Sequence, residues 1–486
     1  MRVLFASSEA HPLVKTGGLA DVAASLPDAL DRLGTDVRLI LPAYRQVKDQ
    51  VTAAEPVATL RISNPPGRVE LLVTQLPGAA LPVYLVDAPE YFDRAGHPYV
   101  ATDQHDWQDN HLRFGLLARV ITAIAMDQAG LDWRPDIVHC NDWQTALVPA
   151  LLHGLKKRPA TVFTAHNLAY QGLFPPSAAK ALALPEHLMR HDSLEFYSQL
   201  AFIKGGLVYA DCLTTVSPTY AREIRTPELG CGLDGLLRER AEDLVGILNG
   251  IDYRAWDPAT DPFLVSHYGI DELSGKVGNK VALQERLGLE VNPQIPLLGH
   301  IGRMVEQKGT DLILKAFPRL LRYRDVQLVM LGSGEARFEQ DAQRIAKAYP
   351  GKVGLHIGYD ESLAHLVEAG VDMFVMPSRF EPCGLNQLYS LRYGTPPIAR
   401  RTGGLADTIV DASGADLQAG LANGFLFQTP ATDALLEACH RALTLFEDND
   451  RWRALMQQGM ARDSSWEHSA NEYLELYQRI VRPYGE

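Results

Sequence analysis

Short apolar runs recur along the chain and are separated by longer segments of mixed polarity. In the first half, the apolar runs stand at 2–8, 36–42, 81–88, 135–140, 160–166, 211–216 and 244–250. They are rich in Val, Ile and Leu, as expected of parallel strands that are buried on both faces. The segments between them, for example 109–129 and 196–209, have the length and pattern of helices. The pattern therefore predicts strands and helices that alternate around a parallel sheet.

A second series of apolar runs follows in the other half of the chain. Its members stand at 295–303, 326–334, 353–359, 371–379 and 395–401. Strands and helices alternate again, so the sequence predicts two doubly wound α/β units. The stretch 249–262 is rich in Pro, Asp and Gly and suits a boundary, which gives domains at 1–250 and 251–465. Apolar residues at helical spacing over 466–481 predict a last helix with one buried face.

The composition narrows the class of protein and of ligand. A chain of 486 residues is long enough for two or three domains. Its formal net charge of −13 argues against nucleic acid and anionic membranes as main partners, so an anionic substrate needs a local cluster of cations. The five cysteines include no CxxC pair, which argues against a disulfide framework and a Cys-rich zinc site. The sequence shows no signal peptide and no apolar stretch of transmembrane length, so we expect a cytoplasmic protein.

The hexapeptide TGGLAD occurs twice, at 16–21 and at 402–407. Each copy follows a predicted strand and opens a predicted helix. In doubly wound folds, ligands bind beyond the carboxyl ends of the strands. A glycine pair at that place permits close backbone approach, and a helix N-terminus offers free N–H groups to an anion. The alternative is that both copies are only tight turns that begin helices.

Two basic residues lie at the end of another predicted strand. Arg303 and Lys308 are five residues apart in one loop. They could clamp a diphosphate, because Arg binds two oxygens through its fork and Lys acts as a point charge. A solvated surface pair fits the motif equally well. The GxG at 332–334 lacks the third glycine of the dinucleotide fingerprint, which argues against a nicotinamide dehydrogenase.

The densest group of candidate residues surrounds Glu381. This glutamate directly follows a predicted strand, in a turn shaped by Pro382 and Gly384, and a helix is predicted over 385–393. The first N–H groups of that helix, from Gly384 to Asn386, would form a phosphate site. A glutamate in such a turn can also be a helix cap, so its position alone leaves both roles open.

Three more candidates stand at strand ends in the first half of the chain. His166 and Asn167 end one predicted strand, and Asp142 lies beyond another, beside Trp143. An aspartate next to an aromatic ring suits a sugar, through hydrogen bonds from one and stacking from the other. The structural alternatives are a buried histidine, and an aspartate that caps a helix beside a buried tryptophan.

Seven motifs in this order resemble those of bacterial glycogen synthases and plant starch synthases. They are KTGGLADV (15–22), HNLAYQG (166–172), VSPTYAREI (216–224), LNGID (248–252), RMVEQKG (303–309), SRFEPCGLNQLY (378–389) and RTGGLADT (401–408). The resemblance covers nearly the whole chain. It implies the GT-B fold, in which two Rossmann-like domains face each other across a cleft and the C-terminal helix returns to the first domain.

The resemblance also implies a reaction. A retaining transferase of this family moves glucose from ADP-glucose to the 4-hydroxyl at the non-reducing end of an α-1,4-glucan, such as glycogen or a maltooligosaccharide. The difficult step is departure of the nucleotide diphosphate while positive charge grows on the sugar. Cations and helix N-termini must therefore stabilise the negative charge on the leaving oxygens.

Site residues follow from the same resemblance. It assigns catalytic roles to Glu381, His166, Arg303, Lys308 and Asp142. It assigns substrate contacts to Lys15, Gly17, Gly18, Asp21, Tyr99, Asn167, Asn249, Tyr359, Cys383, Gly384, Leu385 and Asn386. In this scheme Arg303, Lys308 and Lys15 hold the leaving diphosphate, and Glu381 favours the cationic transition state. His166 and Asn249 position the glucose, Tyr359 lies near the adenine, and Cys383 packs within its loop.

We expect neither a metal nor a cofactor, because no DxD or His/Asp ligand cluster stands out and GT-B enzymes generally need no metal. No carboxylate is placed to act as a nucleophile, which favours a front-face mechanism guided by the leaving phosphate. Tyr389 stands where wider relatives carry a second glutamate, as in the synthase branch. Two rival functions stay open: a related GT-B transferase with a small sugar acceptor, and a non-catalytic glucan-binding protein.

Overall fold

The computed structural model describes residues 1–51, 53–102 and 105–481. The chain divides into two compact units. The first contains Met1–Val216, Ala221–Leu248 and the segment from Trp466 onward, and the second contains Ser217–Tyr220 and Asn249–Ser465. Residues 217–220, which fall within the predicted domain 1–250, thus group with the second unit.

The strands are, in chain order, β1 (Arg2–Ala6), β2 (Asp36–Pro42), β3 (Glu55–Ser63), β4 (Pro66–Gln75), β5 (Pro82–Asp87), β6 (Ile137–Asn141), β7 (Ala160–Ala165), β8 (Leu173–Phe174), β9 (Glu195–Phe196), β10 (Gln199–Ala201), β11 (Cys212–Thr215), β12 (Leu244–Gly246), β13 (Leu297–Ile301), β14 (Gln327–Gly332), β15 (Val353–Ile357), β16 (Met373–Met376), β17 (Pro397–Arg400) and β18 (Phe425–Phe427).

The α-helices are α1 (Gly18–Arg32), α2 (Arg45–Gln50), α3 (Pro89–Phe92), α4 (Asn110–Ala125), α5 (Asp142–Thr145), α6 (Leu147–Leu152), α7 (Ser177–Ala181), α8 (Phe202–Tyr209), α9 (Pro218–Glu223), α10 (Asp234–Glu239), α11 (Gly275–Arg286), α12 (Thr310–Tyr323), α13 (Ala336–Ala348), α14 (Glu361–Gly370), α15 (Asn386–Arg392), α16 (Gly403–Thr408), α17 (Gly414–Gln418), α18 (Thr432–Phe446), α19 (Asn449–Ala461) and α20 (Trp466–Ile480). Short 3₁₀ helices cover Glu186–Met189 and Glu306–Lys308.

In its described part, the first unit has a nine-stranded sheet in the order β12-β11-β7-β6-β1-β2-β5-β4-β3. The strands from β12 to β5 run parallel, and β6 and β7 are buried along their whole length, as the continuous apolar runs predict. The sequence did not predict β3 and β4. They pair antiparallel at one end of the sheet, and exposed or half-exposed residues separate their buried positions, so no long apolar run marks either strand.

A smaller antiparallel sheet, in the order β8-β10-β9, corrects one predicted element. The helix predicted over 196–209 begins only at Phe202. The residues before it form the hairpin of β9 and β10, which turns at Tyr197 and Ser198 with φ values of 47° and 63°. Residues with positive φ cannot be part of a right-handed helix, so the helix can begin only after them.

The last helix, α20, completes the first unit by packing on α1. It buries the stripe of apolar residues that its sequence predicts, including Trp466, Tyr473 and Tyr477. The Tyr477 hydroxyl lies 2.6 Å from Nδ1 of His139 in β6, and Ser469 donates to the carbonyl of Leu248 at 2.6 Å. These polar contacts fix the helix in register on the unit.

Within the described residues, the second unit has a six-stranded parallel sheet in the order β15-β14-β13-β16-β17-β18. Successive side chains of β14 enter different cores: Leu328 and Met330 pack in one cluster, and Val329 and Leu331 pack in the other. Both faces of the sheet are therefore covered by helices, as the second series of apolar runs predicts. The short strand β18 was not predicted.

The stretch that suggested a domain boundary is built into the second unit. The indole of Trp256 stacks between the rings of His365 and Tyr389, at centroid distances of 3.7 and 3.8 Å. Asp261 accepts hydrogen bonds from His365 Nδ1 and from the Tyr393 hydroxyl. The composition of this stretch is that of a loop, but its side chains anchor it to α14 and α15.

Candidate functional site

The first TGGLAD copy connects the region after β1 to α1. Gly17 is the N-cap of the helix, and Lys15 Nζ lies 2.7 Å from Oδ1 of Asp21 in its first turn. Gly17 has φ of −162°, which any residue adopts, and a Cβ there would meet no described atom within 4 Å. The glycine therefore leaves open space beside the backbone at the start of α1, next to the exposed Lys15.

Glu9 anchors this loop, and the sequence analysis missed it. Its Oε2 accepts the backbone N–H of Thr16 at 2.5 Å and that of Gly17 at 3.2 Å. Its Oε1 accepts the hydroxyls of Thr16 at 2.7 Å and Tyr99 at 2.9 Å. Burial raises the pKa of this carboxyl, and the hydrogen bonds from Thr16, Tyr99 and Gly17 oppose that rise. The Gly17 N–H is thus already engaged, and the Tyr99 hydroxyl is turned inward.

A second group lies at the carboxyl ends of β6 and β7. Asp142 Oδ1 accepts the N–H of His166 at 2.7 Å, and His166 Nε2 lies 2.9 Å from Oδ1 of Asn141. Burial raises the pKa of Asp142 to about 7 and lowers that of His166 to about 3. His166 is therefore neutral at physiological pH and can exchange hydrogen bonds with a sugar hydroxyl without bringing a charge. Asn167 is half-buried and accepts from the Ala169 N–H at 3.0 Å.

Asn141 had no predicted role, yet it holds the His166 ring. Its Nδ2 donates to the carbonyl of Ala6 at 3.0 Å, which orients the amide so that Oδ1 faces the imidazole. Asp142 has φ of 55°, in the left-handed region that few side chains other than Asn and Asp accept. This turn places the carboxylate within hydrogen-bond distance of the His166 N–H, just after the end of β7.

In the second unit, Glu381 and Lys308 form a close ion pair. Lys308 Nζ lies 2.6 Å from Glu381 Oε2, and Ser378 Oγ donates to the same oxygen at 3.0 Å. Glu381 is buried, whereas Lys308 keeps 22% of its side chain exposed. The ammonium group can therefore contact a ligand while it neutralises the buried carboxylate. Arg303 lies exposed just beyond β13.

The second TGGLAD copy packs against the turn that carries Glu381. A Cβ on Gly403 would lie 1.9 Å from the Glu381 carbonyl oxygen, and one on Gly404 would lie 2.0 Å from that of Cys383. Gly404 also donates its N–H to the Glu381 carbonyl at 3.1 Å. Asp407 accepts from the Thr219 hydroxyl at 2.6 Å. This copy thus shapes the Glu381 turn, whereas a Cβ at Gly17 in the first copy would meet no described atom within 4 Å.

The predicted substrate residues around Cys383 occupy a tightly built turn. Gly384 has φ of 75°, and a Cβ there would lie 2.2 Å from Oε1 of Gln387, so the position requires glycine. Leu385 is the N-cap of α15, and Asn386 donates to the Ile301 carbonyl at 2.8 Å. Burial raises the pKa of Cys383 to about 12, which keeps it a thiol and agrees with a packing role.

Two further predicted contacts have features that suit a ligand. Asn249 is 8% exposed, and its buried Oδ1 has no hydrogen-bond partner among the described residues. A buried acceptor without a donor is costly, so a sugar hydroxyl there would satisfy it. Tyr359, after β15, is 71% exposed and could offer its ring to a base. In the described ranges, no group of three or more His, Cys, Asp or Glu side chains is arranged to hold a metal. No described helix is long and apolar enough to cross a membrane.

The sequence matches two known protein families and is similar to named proteins over nearly its whole length. The family described as Starch synthase catalytic domain matches residues 2–239, and Glycosyl transferases group 1 matches residues 285–457. The chain is 60% identical to a protein named glycogen synthase from Thioalkalivibrio sulfidiphilus, over 99% of this chain and 100% of the relative. It is 55% identical to glycogen synthase 1 from Methylococcus capsulatus, over 99% and 97% of the two chains.

Solved structures agree with these relatives. The catalytic domain of starch synthase IV from Arabidopsis thaliana, bound to ADP and acarbose, matches with a TM-score of 0.89 and 36% identity over 99% of each chain. Sucrose-phosphate synthase from Thermosynechococcus elongatus matches with a TM-score of 0.61 at 18% identity, over 99% and 98% of the chains, which shows the fold alone. The expected GT-B fold of two Rossmann-like domains is confirmed, and so is the expectation of a glycosyltransferase. The chain belongs to the glycogen and starch synthase family.

Proposed function

We propose that the protein transfers glucose, with retention, from ADP-glucose to the non-reducing 4-hydroxyl end of an α-1,4-glucan, which is the reaction of a glycogen synthase. The observation that carries the proposal is 60% identity to a protein named glycogen synthase over 99% of the chain. The relative that holds ADP and acarbose supports both substrates, because ADP is the leaving group of such a donor and acarbose is an oligosaccharide.

The second unit supplies the chemistry of the leaving diphosphate. Negative charge grows on the ADP oxygen as the glycosidic bond breaks, and a fixed ammonium group lowers the energy of that state. Lys308 suits this role, because it is held by Glu381 and remains partly exposed. In the proposed scheme the exposed Arg303 adds a second cation from the same unit, and Lys15 of the first unit is a further predicted diphosphate contact. Glu381, buried and paired, stabilises the positive charge that grows on the sugar.

Neutral groups position the glucose. Asn249 offers a buried acceptor that lacks a donor, and His166 is kept neutral by burial. Asp142 is a poor nucleophile, because its Oδ1 already accepts the His166 N–H and a pKa of about 7 leaves it partly protonated at neutral pH. The Cys383 thiol is likewise unreactive. These properties support a front-face mechanism, in which the leaving phosphate accepts the proton of the incoming 4-hydroxyl.

We also propose that the reaction needs no metal or cofactor and takes place in the cytoplasm. Cationic side chains can carry the charge compensation that a divalent metal supplies in other transferases. The five cysteines are all free thiols, which agrees with a reducing compartment.

The test offers radiolabelled ADP-glucose and UDP-glucose separately, each with glycogen, maltotetraose or free glucose, in buffer with and without EDTA. We expect labelled glucan from ADP-glucose, much less from UDP-glucose, and no effect of EDTA. The label should be released by β-amylase, which attacks α-1,4 chains from the non-reducing end. The Glu381→Gln variant is the control for contaminating activity.

Each rival function has its own result in this assay. Label found only in a disaccharide from free glucose would identify a transferase with a small acceptor. Glycogen retention on an affinity gel without any transfer from either donor would identify a glucan-binding protein. Equal use of both donors, or loss of activity in EDTA, would overturn the donor and metal parts of the proposal.

A further inference from the structure

The carboxylate of Glu9 is the centre of the first TGGLAD loop. It is 3% exposed and accepts hydrogen bonds from two consecutive backbone N–H groups, those of Thr16 and Gly17, and from the hydroxyls of Thr16 and Tyr99. A carboxylate that receives so many donors is satisfied without water, which explains how a buried charge is tolerated at this place.

Further hydrogen bonds fix the rest of the loop that surrounds the Glu9 carboxylate. Val14 donates its N–H to the Ala10 carbonyl at 2.9 Å, and His11 donates to the Ala20 carbonyl at 3.0 Å. Ser7 Oγ donates to the carbonyl of Glu9 itself at 2.7 Å. The chain between β1 and α1 is therefore held at both ends and in the middle, and Glu9 supplies the middle contact.

Tyr99 extends the network to a distant part of the unit. Its hydroxyl lies 2.9 Å from Glu9 Oε1 and 2.7 Å from Ser8 Oγ, and its ring lies 6.0 Å from that of Phe114 in α4. The hydroxyl is thus used inside the protein. Its position relative to Glu9 indicates that it orients the carboxylate.

We propose that Glu9 is a positioning residue for Lys15, with Tyr99 as its support, and that it acts on nucleotide diphosphate binding without touching the ligand. The reason is chain connectivity: Lys15 directly precedes the two residues whose N–H groups Glu9 holds, so the path of its backbone is fixed on that side. Its ammonium group is then directed toward the start of α1, where it meets Asp21 at 2.7 Å. This inference rests on the proposed role of Lys15 in donor binding.

The test measures ADP binding by calorimetry for Glu9→Gln, Lys15→Gln and the double variant. Glutamine matches the shape of the carboxylate but points an NH₂ group at donors. We expect about tenfold weaker ADP binding for each single variant and a double variant within about twofold of Lys15→Gln alone, because coupled residues are not additive. Equal losses that multiply in the double variant, or unchanged ADP binding in Glu9→Gln, would overturn the proposal.

Two further variants control for folding. Glu368→Gln removes another buried carboxylate, which accepts from Ser390 at 2.8 Å in the second unit, and should leave the affinity for ADP unchanged. Tyr99→Phe keeps Glu9 and removes one donor, so it should weaken ADP binding by about threefold and decide the question if Glu9→Gln does not fold. An unchanged affinity in Tyr99→Phe would then count against the proposal.

Amide hydrogen exchange separates this inference from the proposed reaction. We expect the amides of Thr16 and Gly17 to exchange at least about tenfold faster in Glu9→Gln, while those of β1 stay protected. That result together with weakened ADP binding would support the positioning role even if no glucan were formed. Unchanged exchange at both amides would refute it, whatever the activity.

Discussion

The matched substitutions Gly17→Ala and Gly403→Ala should affect different properties, stability for Gly403 and donor binding for Gly17, although both change the first glycine of the same hexapeptide. At Gly403 the new Cβ would lie 1.9 Å from the Glu381 carbonyl oxygen, and the backbone has φ of 44°. Overpacking costs roughly 1–3 kcal/mol, and a left-handed alanine costs roughly 1–2 kcal/mol. The second unit should therefore lose about 4 kcal/mol of stability.

That loss can be measured as a shift of the melting temperature. For a unit of this size, 1 kcal/mol corresponds to roughly 2–4 °C, so Gly403→Ala should lower the transition of the second unit by about 8–16 °C. Differential scanning calorimetry resolves the two units if they melt separately. The activity of Gly403→Ala should also fall, because the Glu381 turn must move to relieve the clash.

Gly17→Ala should leave both transitions within about 2 °C, because a Cβ there meets no described atom within 4 Å and the extended backbone suits alanine. Its effect should fall on the KM for ADP-glucose, which we expect to rise severalfold as the methyl group fills the space beside Lys15. Equal melting temperatures for the two variants would refute the packing argument. An unchanged KM in Gly17→Ala would refute the idea that a ligand approaches this backbone.

Further predictions concern the charged residues. Glu381→Gln should lower kcat by orders of magnitude and change the KM for ADP-glucose much less, because the growing positive charge exists only in the transition state; steady-state kinetics that show a raised KM with normal kcat would contradict this role. Lys15→Gln should raise that KM strongly, and Arg401→Gln should raise it by less than about fivefold, since a screened surface charge contributes little. A larger increase in KM for Arg401→Gln than for Lys15→Gln would contradict the proposed role of Lys15. Asp142 has a pKa raised to about 7, so the folded state binds a proton that the unfolded state releases near pH 4, and stability falls as the pH rises between these values. Asp142→Asn should therefore melt higher than the parent protein at pH 8 and lose that advantage at pH 4; thermal melts at both values test it.

The fold was largely predictable, because a parallel strand that is buried on both faces consists of consecutive apolar residues, which are visible in the sequence. The missed strands β3 and β4 form the antiparallel end of the sheet, where exposed and half-exposed positions interrupt such a run. The hairpin of β9 and β10 was mistaken for helix because Phe196, Leu200 and Ile203 fit a helical period equally well. Only the left-handed turn at Tyr197 and Ser198 excludes that helix, and neither residue type is typical of such a turn.

The candidate site was predicted from residues that follow strands, and the same signal could have found Glu9. Glu9 comes three residues after β1, as Glu381 comes five after β16. It was passed over because a carboxylate is most often exposed, and no single sequence shows that its partners lie at Thr16, Gly17 and Tyr99. Asn141 escaped for a similar reason: its contact with His166 joins two strand ends that are distant in sequence. The substrate roles of the predicted residues remain predictions.

The packing of α20 on α1 has a consequence for folding during synthesis on the ribosome. The first unit starts with Met1 but needs residues from Trp466 onward to cover α1 and to reach His139. The whole of Asn249–Ser465 must therefore be translated before the first unit can close, whereas the second unit has nearly all of its residues in one continuous stretch. At roughly 5–20 residues per second, the apolar face of α1 waits roughly 20–90 s for its cover. A nascent chain that stalls in the second unit would leave this face open to chaperones, and a unit whose synthesis begins before that of the second unit would finish folding after it.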